Sequence, residues 1–122
     1  MGFVQYVLGR LGDLLGALVN DQIGNGIHGL VPGGSTGEFA ALTTEERRAV
    51  TETVCGAAKG RVPGTVGVGA RTTAEAVGLA RHAKKAGADA VMVVGPYYEE
   101  PSEDELRDHI AAIAGDGGLP VL

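Results

Sequence analysis

Apolar residues recur along this chain with two alternating periods. Leu14, Leu15, Leu18, Val19 and Ile23 share one face of a helix predicted over about residues 11–24. Three further helices follow from Val50, Val54 and Ala57; from Ala76, Val77, Ala80 and Ala83; and from Leu106, Ile110 and Ile113. Each of these three opens on a hydroxyl residue with Glu three positions later: Thr43 and Glu46, Thr72 and Glu75, Ser102 and Glu105. That is the capping-box pattern, in which the hydroxyl and the carboxylate satisfy each other's free backbone N–H groups. Lys59-Gly60, and Lys84-Lys85 before Gly87, supply the cations and glycine that suit helix C-termini.

Between the helices lie short apolar runs at 27–31, 65–68, 90–94 and 119–122, each bounded by Gly or Pro. They lack in-and-out alternation, as strands covered on both faces do. The cap hydroxyls stand 29 residues apart (72 − 43) and then 30 (102 − 72), so strand and helix alternate with a period near thirty. The segment 25–29 is echoed at 86–90, with Gly87 lying 61 residues after Gly26. This is the mark of βα units around a parallel sheet, and its regularity favours a TIM (β/α)8 barrel over a doubly wound sheet. A complete barrel takes eight strands and about 250 residues. The expected fold is therefore α/β: a single partial barrel over 1–122, about four βα units with parallel strands, incomplete at both ends, with an atypical segment at 1–10.

Composition narrows the function. Hydrophobic content of 44% with 20% charged residues describes a globular chain. A net charge of −5 without a basic stripe argues against nucleic acid as a partner. No run approaches the roughly 18 apolar residues of a membrane span, and no basic region precedes the apolar start, so neither membrane nor secretion is expected. One cysteine, Cys55, permits no disulfide framework and suits the cytoplasm; with no His nearby in sequence, it reads as a packing residue.

The candidate chemistry sits in Gly33-Gly34-Ser35-Thr36-Gly37-Glu38. Glycines let a ligand approach the main chain, and two adjacent hydroxyls with backbone N–H groups suit a carboxylate or phosphate oxygen. An ordinary Gly-rich turn is the alternative reading. The stretch lacks the Lys-Ser/Thr of a P-loop, and Gly67-Val68-Gly69 lacks the third glycine of a dinucleotide fingerprint. Glu38 is expected to order the loop or cap a helix, and His28 to pack locally. No histidine pair has metal-ligand spacing, so neither metal nor cofactor is expected.

Gly34-Ser35-Thr36-Gly37-Glu38, followed by Leu42-Thr43-Thr44-Glu45-Glu46-Arg47, resembles the signature of the dihydrodipicolinate synthase / N-acetylneuraminate lyase family. Val93-Val94-Gly95-Pro96-Tyr97-Tyr98 with Pro101-Ser102, and Ala86-Gly87-Ala88-Asp89-Ala90, are similar to further family patterns. The resemblance implies a TIM-barrel lyase joining pyruvate or a related 2-oxo acid to an aldehyde, through a Schiff base on a sixth-strand lysine. It implies that Gly34, Ser35 and Thr36 hold the carboxylate. Ser35 would also enter a proton relay with two tyrosines, one of them Tyr98, which would reach into a neighbouring subunit of a homo-oligomer. The family's Thr-Pro-Phe near the first strand has no counterpart in 1–10, and the fifth-strand tyrosine, the following arginine and the Schiff-base lysine are not among these 122 residues. Lys59, Lys84 and Lys85 are predicted at helix C-termini, away from the chemistry, so the chain alone is expected to be inactive. The alternative is a non-catalytic half-barrel that associates with itself or with a complementary chain.

Overall fold

The computed structural model describes residues 3–122, with side chains from residue 9 onward. Four helices are present: α1 (Phe3–Gly24), α2 (Thr44–Ala58), α3 (Thr73–Ala86) and α4 (Glu103–Gly117). Two regular strands, β1 (Thr65–Gly67) and β2 (Ala90–Met92), pair in parallel with Val66 opposite Val91. Parallel single bridges extend the sheet on both sides, Leu30 to Gly64 and Val91 to Val121. Chain order and spatial order therefore agree across the segment near Leu30, β1, β2 and the segment near Val121, an arrangement consistent with part of a barrel wall. The regular strands are shorter than the apolar runs, because pairing needs a neighbour at every position and composition does not.

The caps act as their side chains dictate. Thr43 and Ser102 each form the full capping box with Glu46 and Glu105. Thr72 accepts from the Glu75 N–H, but only half of the expected box is present, since the Thr72 N–H makes no reciprocal bond to the Glu75 carboxylate. Instead the Glu75 charge lies near Arg47, where it favours the protonated guanidinium. Gly26 (φ +86°) and Gly87 (φ +94°) both adopt the left-handed conformation at a helix end, so the echo between 25–29 and 86–90 is one joint used twice.

The main core lies between the sheet and helices α3 and α4. Val66, Val68 and Val91 face Ala76, Ala80, Ala83 and Ile113, and all are almost fully buried. Burying each large aliphatic side chain stabilises the fold by about 1.5–3 kcal/mol. The alanines let the helices approach closely: a Cβ on Gly117 would stand 2.7 Å from that of Ala80. The other sheet face is uncovered, with Val31, Met92, Val94 and Leu122 between 36% and 70% exposed.

Two helix faces differ from expectation. On α1, Leu15, Val19 and Ile23 pack on α2 while Leu14 and Leu18 are exposed, which divides the expected single face; the helix also starts at Phe3 rather than near residue 11. On α4 the buried stripe runs through His109, Ile113 and Gly117, leaving Ile110 exposed. His109 replaces Ile110 at the α3 contact because its Nδ1 lies 2.8 Å from Thr73 Oγ1, which partners one nitrogen of the buried ring.

Candidate functional site

The glycine corner leaves the sheet at the carboxyl end of the strands. Leu30 and Thr65 exchange ladder bonds with their neighbours, and Gly67 donates to the Pro32 carbonyl at 2.8 Å. Gly33 then turns at φ +71°, and its carbonyl is so close to Gly67 that a Cβ there would lie 2.1 Å from the oxygen. Only two glycines can meet this closely, so the corner is pinned at its base. Past it, Gly37 donates to Gly34 and Glu38 donates to Ser35, in two overlapping turns. Ser35 and Thr36 ride these turns with exposed side chains.

Glu38 adopts φ +55°, unusual for a residue with a Cβ, and makes no side-chain cap bond. Of the two expected roles, ordering the loop or capping a helix, its side chain fills no cap, and the bond at this position is to its backbone, the carbonyl accepting from Ala41. Phe39 follows, and its ring meets Tyr97 edge-on with centroids 6.1 Å apart. Tyr97 and Tyr98 leave the carboxyl end of β2, so the glycine corner and the tyrosine loop stand on the same rim. Tyr98 is 81% exposed and lines a cavity of about 390 Å³ with Phe39, Arg47, Arg71 and Glu75, a cavity to which Ser35 and Thr36 contribute no wall. The contact between the two loops thus runs through Phe39 and Tyr97, beside the residues that sequence reasoning selected.

Arg47 escaped that reasoning. Its guanidinium donates to the Gly67 carbonyl at 3.1 Å and lies 5.0 Å from the Phe39 ring centroid. Burial lowers its pKa, while Glu75 and Tyr97 oppose the shift. The signal was spacing: Arg47 occupies the stripe of Thr51, Val54, Cys55 and Ala58, where a surface arginine does not belong.

Other candidates resolve into packing. The Cys55 thiol is buried and its pKa raised, by desolvation and then by Asp89, which disfavours the nucleophilic thiolate. Burial lowers the pKa of His109, which favours the neutral ring. His28 is exposed rather than packed, and His82 Nε2 stands 3.2 Å from Glu52 Oε1, linking α3 to α2. Among the described residues, no three His, Cys, Asp or Glu side chains converge to hold a metal ion. No helix among them is long and apolar enough to cross a membrane.

Known proteins resemble this chain in sequence and in backbone. The 4-hydroxy-tetrahydrodipicolinate synthase of Phenylobacterium zucineum is 53% identical over 110 residues, covering 90% of this chain and 37% of that protein. A prophage protein of the dihydrodipicolinic acid synthase family from Escherichia coli K12, solved with pyruvate, superposes with a TM-score of 0.83 at 39% identity, covering 87% of this chain and 36% of its own. The 4-hydroxy-tetrahydrodipicolinate synthase of Methylacidiphilum fumariolicum SolV superposes with a TM-score of 0.86 at 39% identity, covering 91% and 37%. The chain spans a little over a third of the length of the relatives it matches. The model of the dihydrodipicolinate synthetase family matches residues 12–122, and the chain belongs to that family.

Proposed function

We propose that these residues form the carboxylate-holding part of a cytoplasmic Schiff-base lyase acting on pyruvate or a related 2-oxo acid. In such a reaction a lysine amine condenses with the keto carbon and releases water. The resulting iminium accepts the electron pair left when the methyl carbon loses a proton, and that carbon then attacks an aldehyde. Ser35 and Thr36 would receive the carboxylate with their hydroxyls and the adjoining N–H groups. Ser35 would also pass protons together with Tyr98, acting across a subunit contact in a homo-oligomer. The lysine that forms the Schiff base is not one of Lys59, Lys84 and Lys85: the first caps α2 at its C-terminus and the others lie in the last turn of α3.

The observation that carries this reading is the pair of exposed hydroxyls on a turn fixed by the Gly33–Gly67 contact. A corner rigid at its base and open at its tip is preorganised for a small anion, so little ordering is required on binding. Relatives solved with pyruvate lend the ligand class. Titration of pyruvate into the chain, followed by amide NMR, should move the Ser35 and Thr36 signals. Each of Ser35→Ala and Thr36→Ala should weaken binding by about tenfold to a hundredfold, in keeping with the roughly 1.5–3 kcal/mol of a hydrogen bond to a charged group. Unaltered affinity in both variants would refute the reading.

A further inference from the structure

The proposed chemistry makes no use of Arg47, yet this is the charged side chain most deeply placed at the carboxyl rim, 7% exposed. A buried guanidinium is costly unless its surroundings compensate it. Here the compensation comes from parts that follow three successive strand segments. The Gly67 carbonyl at the end of β1 accepts its hydrogen bond, and the face of Phe39, at the end of the glycine corner, lies over it. Phe39 in turn meets Tyr97 of the loop after β2 at an interplanar angle of 71°. The chain of contact is continuous: guanidinium, Phe39 ring, Tyr97 ring, with Ser35 and Thr36 just before one ring and Tyr98 just after the other.

We propose that Arg47 is a positioning residue for the carboxylate corner: through Phe39 and Tyr97 it fixes the Ser35-Thr36 turn against the loop that carries Tyr98. This rests on the carboxylate-binding reading above. Arginine suits the task because its planar cation can stack on a ring and donate in its own plane at once, which a lysine ammonium cannot do. Gly69 adds to the fit: a Cβ there would stand 2.5 Å from Val94 and 3.4 Å from Phe39, so its lack of a side chain leaves space for the ring.

Three variants test the proposal in the 122-residue chain: Arg47→Gln, Arg47→Lys and Phe39→Leu. Arg47→Gln keeps a donor for Gly67 but loses the cation. It should shift the Tyr97 ring signals and the Ser35 and Thr36 amides, and weaken pyruvate binding at least tenfold. Arg47→Lys restores charge over the ring and should recover part of both effects. Phe39→Leu, which leaves the Arg47–Gly67 bond in place, should move the same signals, and it decides the matter alone if Arg47→Gln does not fold. Unshifted Ser35 and Thr36 amides in the folded variants would overturn the proposal, as would changes spread evenly over the chain. If the unaltered chain shows no response to pyruvate, the carboxylate reading fails, while the loop signals still judge Arg47.

Discussion

The two ends of the short sheet are built on different terms. At the amino end, Asp89 Oδ2 accepts from the Gly64 N–H at 2.9 Å, and the Asp89 N–H donates back to the Gly64 carbonyl at 2.9 Å. Lys84 and Lys85 close α3 against its own dipole just before, and the buried Cys55 lies under the same turn. At the carboxyl end, Ser35, Thr36 and Tyr98 are exposed, and bonds within their loops are few. One rim ties its polar groups into the fold, whereas the other keeps Arg47 inside and leaves Ser35, Thr36 and Tyr98 exposed. Barrel enzymes divide stability and chemistry between the two ends of their strands, and the polar groups of this narrow sheet are distributed in the same sense.

The most severe test of that contrast is Gly67→Ala. If the open rim is anchored at its base, a Cβ placed against the Gly33 carbonyl should destabilise the chain by about 3 kcal/mol or more. A urea midpoint equal to that of the unaltered chain would show that the corner yields, and that the rim is loose throughout.

Asp89→Ala probes the other end. It leaves the Gly64 N–H without its carboxylate partner and should cost about 1–3 kcal/mol in urea unfolding. The pyruvate-induced shifts at Ser35 and Thr36 should be unchanged, because the lesion lies at the opposite end of the strands. A loss of those shifts in a folded variant would erase the distinction between the rims.

The smallest expected effect is none at all. Borohydride treatment with pyruvate, followed by intact mass measurement, should leave the 122-residue chain without a pyruvyl adduct, since Lys59, Lys84 and Lys85 all stand at helix C-termini. A stable adduct on any of them would bring chemistry to the amino rim and break the contrast outright.

Legibility from sequence followed the range of the interaction. Thr43 and Ser102 were readable as caps because a capping box is completed within four residues. Gly26 and Gly87 were readable because a left-handed turn excludes most other residues. Of the four expected strands, 65–68 and 90–94 contain β1 and β2, whereas 27–31 and 119–122 carry only single bridges, since whether Val31 or Val94 joins a ladder depends on a partner far away in sequence. The role of Arg47 was hidden for the same reason: its partners Gly67 and Tyr97 lie 20 and 50 positions away (67 − 47 and 97 − 47). His109 was passed over for Ile110 because hydrophobicity ranks the two correctly in general and wrongly where Thr73 offers a bond. Ser35 and Thr36 stand out by their hydroxyls in a glycine-rich stretch and Tyr98 by family resemblance alone, and their placement on one rim follows from the parallel strand segments that carry them.

The paired corners at Gly26 and Gly87 have a consequence for how such a chain can change in length. Each ends a helix a few residues before the chain joins the sheet, at Leu30 and at Ala90, with Gly26 donating to the Ile23 carbonyl and Gly87 to that of Lys84. An added residue there would rotate the incoming strand and exchange the side chains on its two faces. Insertions are therefore disfavoured at these joints and better placed on the far side, where segments such as 33–38 and 96–101 already run outside helix and sheet. New specificities would be written into this architecture by lengthening those segments, with the glycine joints as its fixed punctuation.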